Sequence, residues 1–186
     1  MAYRNTPIIN FPIGNFKNIS LKFQAPGTYD DSSWGLHLGT DFDAPENAKV
    51  FSIGRGVVVY SKLHPGEFSE DGKILKRNWG GIMIIAHKDL RNKKVFYSLY
   101  GHLGKRYFKK GDAIELGDFI GTVGKAMSES NGIWENEHLH FAIYDGPFHG
   151  KVLPGYFKEE NKNTKLEYWK EPMSFINTYN PKSHTI

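Results

Sequence analysis

The sequence predicts a mostly β protein with a two-sheet or barrel-like core, on three observations. Runs rich in β-branched and aromatic residues recur at strand length, among them Val57-Val-Val-Tyr60, Gly81-Ile-Met-Ile-Ile-Ala-His87, Val95-Phe-Tyr-Ser-Leu-Tyr100 and His138-Leu-His-Phe-Ala-Ile-Tyr144. Gly111, Gly117, Gly121 and Gly124 punctuate the stretch before the last of these, a spacing suited to tight turns in a strongly curved sheet. Heptads, internal repeats and low-complexity segments are absent, and only one segment reads as a helix. At 186 residues, 39% hydrophobic and 15% aromatic, the chain is long enough for one well-filled core and short for two.

Taken in order, residues 1–34 read as an irregular N-terminal wall, because Pro7, Pro12, Pro26 and the polar tract Thr28-Tyr-Asp-Asp-Ser-Ser33 interrupt any pattern. One short strand is expected there, near Leu21 to Phe23. His37-Leu-Gly-Thr-Asp41 is too rich in Gly and Thr for a helix; if it is extended, positions 37, 39 and 41 share a face. Val50 to Tyr60 reads as two strand pieces turning at Gly54 and Gly56, and Leu63 to Trp79 as a long polar surface loop. Gly81–His87 and Val95–Tyr100 read as strands with a basic tip, Lys88 to Lys94, between them. Gly101-His102-Leu103-Gly104 then closes the second strand with a His at its end. Lys109 to Gly124 reads as short strands and Ala126 to Glu137 as a loop. In His138–Tyr144 the period of two places His138 and His140 on one face. Pro147 to Glu171 is rich in Lys, Glu and Asn, and Glu171 to Tyr179 reads as a short helix with Pro in its first turn.

The 24 Lys and Arg against 20 Asp and Glu give a net charge of +4, scattered without a basic block. That is too weak an excess to predict nucleic-acid binding, though it does not repel an acidic polymer such as a cell wall. The absence of Cys removes disulfides and thiolate metal sites, leaving any metal to His and carboxylate. No apolar run approaches the roughly 20 residues of a membrane span. The opening Met1-Ala-Tyr-Arg-Asn-Thr-Pro7 lacks the pattern of a signal peptide, so a removed leader or another export route is expected.

Two imidazoles and a carboxylate with one open position are the donor set of a catalytic zinc site, and His37, Asp41 and His140 qualify. His102 and His138 are extra imidazoles of the same neighbourhood, titrating near neutrality and so suited to proton transfer. Any one of these residues alone reads more simply as a surface or satisfied polar group; the set is the rarer coincidence. His64 and His149 in Pro/Gly loops, His184 in the tail and His87 beside Lys88 are read as solvated or structural. Asp43 is a same-face neighbour of Asp41 and reads as an ordinary exposed carboxylate before an outer acceptor for an imidazole N–H. No His-Glu-x-x-His helix, no Gly-x-Ser-x-Gly elbow and no phosphate-binding Gly-rich loop occurs.

The succession His37-Leu-Gly-Thr-Asp41, Val57-Val-Val-Tyr60, Gly81 to His87, Tyr97-Ser-Leu-Tyr-Gly-His102-Leu103, Lys110-Gly-Asp112, Gly121-Thr-Val-Gly124 and His138-Leu-His140-Phe141 resembles the M23 peptidase family, the LytM and lysostaphin type zinc endopeptidases. The likeness runs from about Ser20 to Tyr144. It implies a curved antiparallel sheet with a smaller sheet over it, long loops around a groove that receives an extended peptide, and one zinc ion held by His37, Asp41 and His140. It also implies a catalytic pair, His102 and His138, working on water at the zinc, and hydrolysis of peptide bonds in the cross-bridges or stem peptides of bacterial peptidoglycan. His138 is assigned as the base and His102 as the group that stabilises the oxyanion or protonates the amine, or the two exchanged. Tyr29 is weighed as an oxyanion donor, with an ordinary surface Tyr preferred. Trp134 between Ile133 and Glu135, with Glu137 beyond, departs from the family's usual approach to its His-x-His and is expected to narrow or recharge a groove wall. The Lys62 to Asn78 loop is longer than usual, and Gly146 to Lys170 looks like an added flap.

The organisation expected is one metallopeptidase domain over 1–186, with 35–145 as its catalytic core and 146–186 as flap and helix. It is expected to act as a monomer outside the cytoplasm, in the periplasm or at the cell wall. The competing readings are a non-catalytic regulator of the same fold that binds zinc or wall peptide, a non-haem iron oxygenase with a facial triad, and a lipoyl- or biotinyl-type carrier hairpin at Lys110 to Gly124.

Overall fold

The structure is a computed structural model that describes residues 5–6, 11–14, 16–29, 32–89, 92–160 and 164–179. Its frame is an 11-stranded sheet in which the strands Gly56–His64, Gly80–Asp89, Val95–Arg106 and His138–Tyr144 run side by side, each antiparallel to the next. Thr40–Asp43 and then Asn18–Leu21 continue the series beyond His138–Tyr144. Pro26–Tyr29, Ser32–His37 and Tyr156–Phe157 form a separate 3-stranded sheet. The fold is therefore mostly β, with a large and a small sheet and, among the described residues, one short α-helix, Pro172–Tyr179.

The strand His138–Tyr144 is buried along its whole length because both of its faces are covered. Alternation sends Leu139, Phe141 and Ile143 into one apolar cluster with Phe42, Met83, Ile85 and Tyr100. Ala142 and Tyr144 enter a second cluster with Leu38, Ile82, Ile84, Leu99 and Trp169. His138 and His140 share the face of Ala142 and Tyr144, so this second core carries the two imidazoles at one end. The short helix is capped by the Glu171 carboxylate, which accepts the N–H groups of Met173 at 3.1 Å and Ser174 at 2.6 Å. Ile176 anchors it in the first cluster.

Three expectations change. The N-terminal wall is not irregular: besides Asn18–Leu21 it holds the strands Pro26–Tyr29 and Ser32–His37. Gly27 and Gly35 in these strands admit a close neighbour. A Cβ on Gly27 would stand 2.2 Å from the Tyr156 ring, and one on Gly35 2.0 Å from the Phe157 carbonyl oxygen. The Leu63 to Trp79 loop contains a small hairpin, Glu67–Phe68 with Ile74–Lys76. His102 does not end its strand, which continues to Arg106. Up to Gly101 that strand pairs with His138–Tyr144; from Leu103 it pairs with Phe119–Val123. His102 stands at the change of partner with φ +61°, a left-handed backbone that re-aims its ring. Pro7 and His184 lie outside the described residues, as do residues 90–91 of the basic tip.

Candidate metal centre

Cross-strand register assembles half of the site. In the pair Thr40–Asp43 and His138–Tyr144, Asp41 stands directly opposite His140 and Asp43 opposite His138. Directly opposed residues have Cβ atoms about 4.5–5.5 Å apart, so a carboxylate and an imidazole remote in sequence meet on rigid backbone. His37, at the end of its own strand, donates its Nδ1–H to the Lys22 carbonyl at 3.2 Å, which leaves the Nε2 lone pair facing that pair.

His37 Nε2, Asp41 Oδ1 and His140 Nδ1 form a triangle with sides of 3.2, 2.9 and 2.9 Å. Tetrahedral zinc with ligand bonds of about 2.0–2.1 Å sets its donors about 3.3 Å apart. Asp41 Oδ1 is buried and, despite these short separations, takes no aligned hydrogen bond from either ring. The two ring nitrogens share a hydrogen bond and Asp41 Oδ1 faces both, so three potential ligand atoms cluster around one point. These residues fit a divalent cation, and they are the group of His and carboxylate ligands that clusters among the described residues. His140 Nε2 is also buried without a partner and abuts Gly39, where a Cβ would stand 2.6 Å away.

The charge states suit that role. Burial raises the Asp41 carboxyl, but the neighbouring His138, His140 and His37 rings outweigh it and hold the group well below the usual carboxylate range. Burial brings His140 down to about 4 against the pull of Asp41. Burial, followed by His138 and His140, also holds His102 well below the ordinary imidazole value. At neutral pH the centre thus offers an ionised Asp41 carboxylate beside a neutral His140 ring, as metal binding requires.

His102 and His138 lie together over this triangle, ring centroids 4.4 Å apart. His102 Nδ1–H donates to the Asn131 carbonyl and His138 Nδ1–H to the Asn136 carbonyl, both at 2.9 Å. A carbonyl only accepts, so each neutral ring keeps its lone pair on Nε2. His138 Nε2 is 4.0 Å from Asp41 Oδ2.

All five residues singled out in the sequence thus come together. Asp43 is half-buried opposite His138 and stands outside the donor triangle. The Tyr29 side chain lies outside the described residues. His87 is a core residue, its Nδ1–H donating to the Arg55 carbonyl and its Nε2 accepting from Ser98. His64 bonds the Tyr60 hydroxyl at 2.7 Å, and His149 is exposed.

Asp41, His102, His138 and His140 open into a cavity of about 460 Å³. Sequence reasoning missed most of its aromatic wall. Trp79 packs edge-on to His140 at 4.9 Å, Tyr156 lies 5.3 Å from the His37 ring, and Trp34 meets Trp134 at 5.2 Å. Trp134 lines the cavity as expected, but its neighbour Glu135 pairs with Arg77, so the wall gains no net charge there. The Tyr156–Phe157 strand brings the 146–170 segment into this wall.

Two imidazoles and a carboxylate converging beneath an open groove, with two further imidazoles beside them, have the chemistry of a metallohydrolase centre. The family model that describes peptidase family M23 matches residues 35–153, more than half of the chain, and the chain belongs to that family. Among curated relatives, the peptidoglycan DD-endopeptidases ShyB and ShyA of Vibrio cholerae are 31% and 30% identical over 107 residues. Those alignments cover 58% of this chain and 20% of each relative, so the chain matches about a fifth of their length. Among solved structures, the catalytic domain of lysostaphin from Staphylococcus simulans aligns with a TM-score of 0.58 at 21% identity, covering 87% of this chain and 92% of that one. A zinc-containing peptidase from Vibrio cholerae aligns with a TM-score of 0.55 at 26% identity, over 74% of this chain and 37% of that one.

Proposed function

We propose that this chain is a zinc-dependent endopeptidase that hydrolyses peptide bonds in bacterial peptidoglycan, in cross-bridges or stem peptides, outside the cytoplasm. The observation that carries the reading is the buried triangle of His37 Nε2, Asp41 Oδ1 and His140 Nδ1, three potential ligand atoms within 3.2 Å of one another. The names of ShyA and ShyB support peptidoglycan as the substrate class. A zinc-containing structural neighbour supports the choice of metal.

His37, Asp41 and His140 would hold one zinc ion, which supplies Lewis acidity by drawing the pKa of water toward about 7 and polarising a carbonyl oxygen. The rest falls to the protein's own groups. His138, with its Nδ1–H fixed by a carbonyl, accepts a proton at Nε2 from the attacking water. His102, held in the same tautomer within ring contact of His138, takes that proton up at its own Nε2 and then stabilises the developing oxyanion or protonates the leaving amine, the two roles being open to exchange. The aromatic groove receives the extended peptide and excludes water from the reacting bond.

Digestion of purified wall sacculi, with and without a chelator, tests this reading. New amino termini released only by the metal-loaded protein are expected. Intact sacculi with the zinc-loaded protein would refute it.

A further inference from the structure

The loop that precedes His138 carries a fully buried polar side chain, Asn131, which neither the donor triangle nor proton transfer uses. Its groups reach the supports of both histidines. The main-chain carbonyl of Asn131 accepts His102 Nδ1–H at 2.9 Å. Its side-chain Nδ2 donates at 3.2 Å to the Asn136 carbonyl, which is the carbonyl that accepts His138 Nδ1–H. Its Oδ1 accepts the Trp134 backbone N–H at 2.7 Å. Only one orientation of the amide satisfies both partners, since a carbonyl cannot donate and an N–H cannot accept.

The backbone around this residue is held as well. Gly132 has φ +76°, and a Cβ there would stand 2.0 Å from the Asn78 carbonyl oxygen. Asn78 N–H donates to the Gly132 carbonyl at 3.0 Å, and Trp134 Nε1–H returns to the Asn78 carbonyl at 3.0 Å. The Asn131 main chain is therefore fixed by its neighbours, and its side chain ties the Asn136 carbonyl to it.

We propose that Asn131 is a positioning residue that couples the pair, orienting His102 through its main chain and His138 through its side chain. This rests on the proton-transfer reading of those two histidines. The carbonyls they use belong to one loop, and Asn131 is the side chain that joins one to the other.

The test uses the zinc-loaded protein with ¹⁵N-labelled histidine and follows the ring N–H protons by NMR beside steady-state kinetics. In Asn131→Ala the main-chain acceptor of His102 persists, so the His102 ring proton stays visible while that of His138 is lost to solvent exchange. The value of kcat falls about 10- to 100-fold, the range for removing a group that orients a functional imidazole, while KM and zinc content hold. Asn131→Asp keeps the acceptor for Trp134 N–H but not the donor to the Asn136 carbonyl, and it gives the same loss. It also carries the test if the Ala variant does not fold. Wild-type kcat in either folded variant, or a His138 ring proton that remains, overturns the proposal. The ring-proton readout needs no turnover, so it decides the coupling even if the wild-type protein fails to cleave peptidoglycan.

Discussion

Gly39→Ala is the substitution whose effect can be worked most directly from the geometry. The His140 ring rests on Gly39, and an added Cβ would stand 2.6 Å from Nε2, 2.8 Å from Cε1 and 2.7 Å from the Phe141 carbonyl oxygen. Ordinary contact begins at 3.4 Å, so the ring or the strand has to yield by about 0.8 Å. The ring has little room to turn, because Trp79 packs edge-on to it at 4.9 Å. Metal ligands tolerate displacements of about 0.2 Å, so a shift several times larger removes His140 Nδ1 from the donor triangle. Zinc affinity is expected to fall at least about 10- to 100-fold, or about 1.4–2.7 kcal/mol. Competition with a fluorescent zinc chelator at neutral pH measures it. Gly14→Ala, where a Cβ meets nothing within 4 Å, serves as the control and leaves affinity unchanged. A folded Gly39→Ala protein that binds zinc as tightly as wild type refutes the reasoning.

Three further outcomes follow from named contacts. Burial holds His87 down to about 4, so between about pH 6.5 and 4 the unfolded chain binds a proton that the folded chain does not. Stability contributed by this residue is complete above about pH 6.5 and declines as pH falls, by about 3 kcal/mol in all. Denaturant titrations of metal-free wild type and His87→Gln at neutral pH and near pH 5 check it, and equal slopes in the two proteins count against it. Tyr100→Phe leaves the buried Ile53 N–H without the hydroxyl it reaches at 3.1 Å, at a cost of about 1–3 kcal/mol seen as a lower denaturation midpoint. Free zinc at about 100 times its Kd raises the stability of the chelated protein by about 2.7 kcal/mol, or about 5–11 °C in Tm, and the chelator reverses the gain.

The sequence spoke clearly where a side-chain period was enough. The alternation of His138 to Tyr144 put two imidazoles on one face, and the strand has those bounds. Bringing Asp41 to His140 depends on strand register, which no local pattern encodes; donor chemistry and the motif resemblance grouped them, and the register shows how they meet. The groups that orient the rings, the carbonyls of Lys22, Asn131 and Asn136, were invisible because every residue carries a carbonyl. Gly27, Gly35 and Gly39 each give space to a side chain or carbonyl from a distant element, a role that no local pattern announces. Trp79 and Tyr156 reach the groove from segments read as loop and flap, and their role follows from tertiary packing alone.

The central claim is that His37, Asp41 and His140 hold a metal while His138 stands free of it. Zinc content and the zinc X-ray absorption edge, measured on wild type, His140→Ala and His138→Ala, address it directly. The account expects one zinc per chain with two imidazole nitrogens in wild type and in His138→Ala, loss of zinc in His140→Ala, and loss of turnover in both variants. Full zinc occupancy in His140→Ala, or release of zinc in a folded His138→Ala protein, contradicts it.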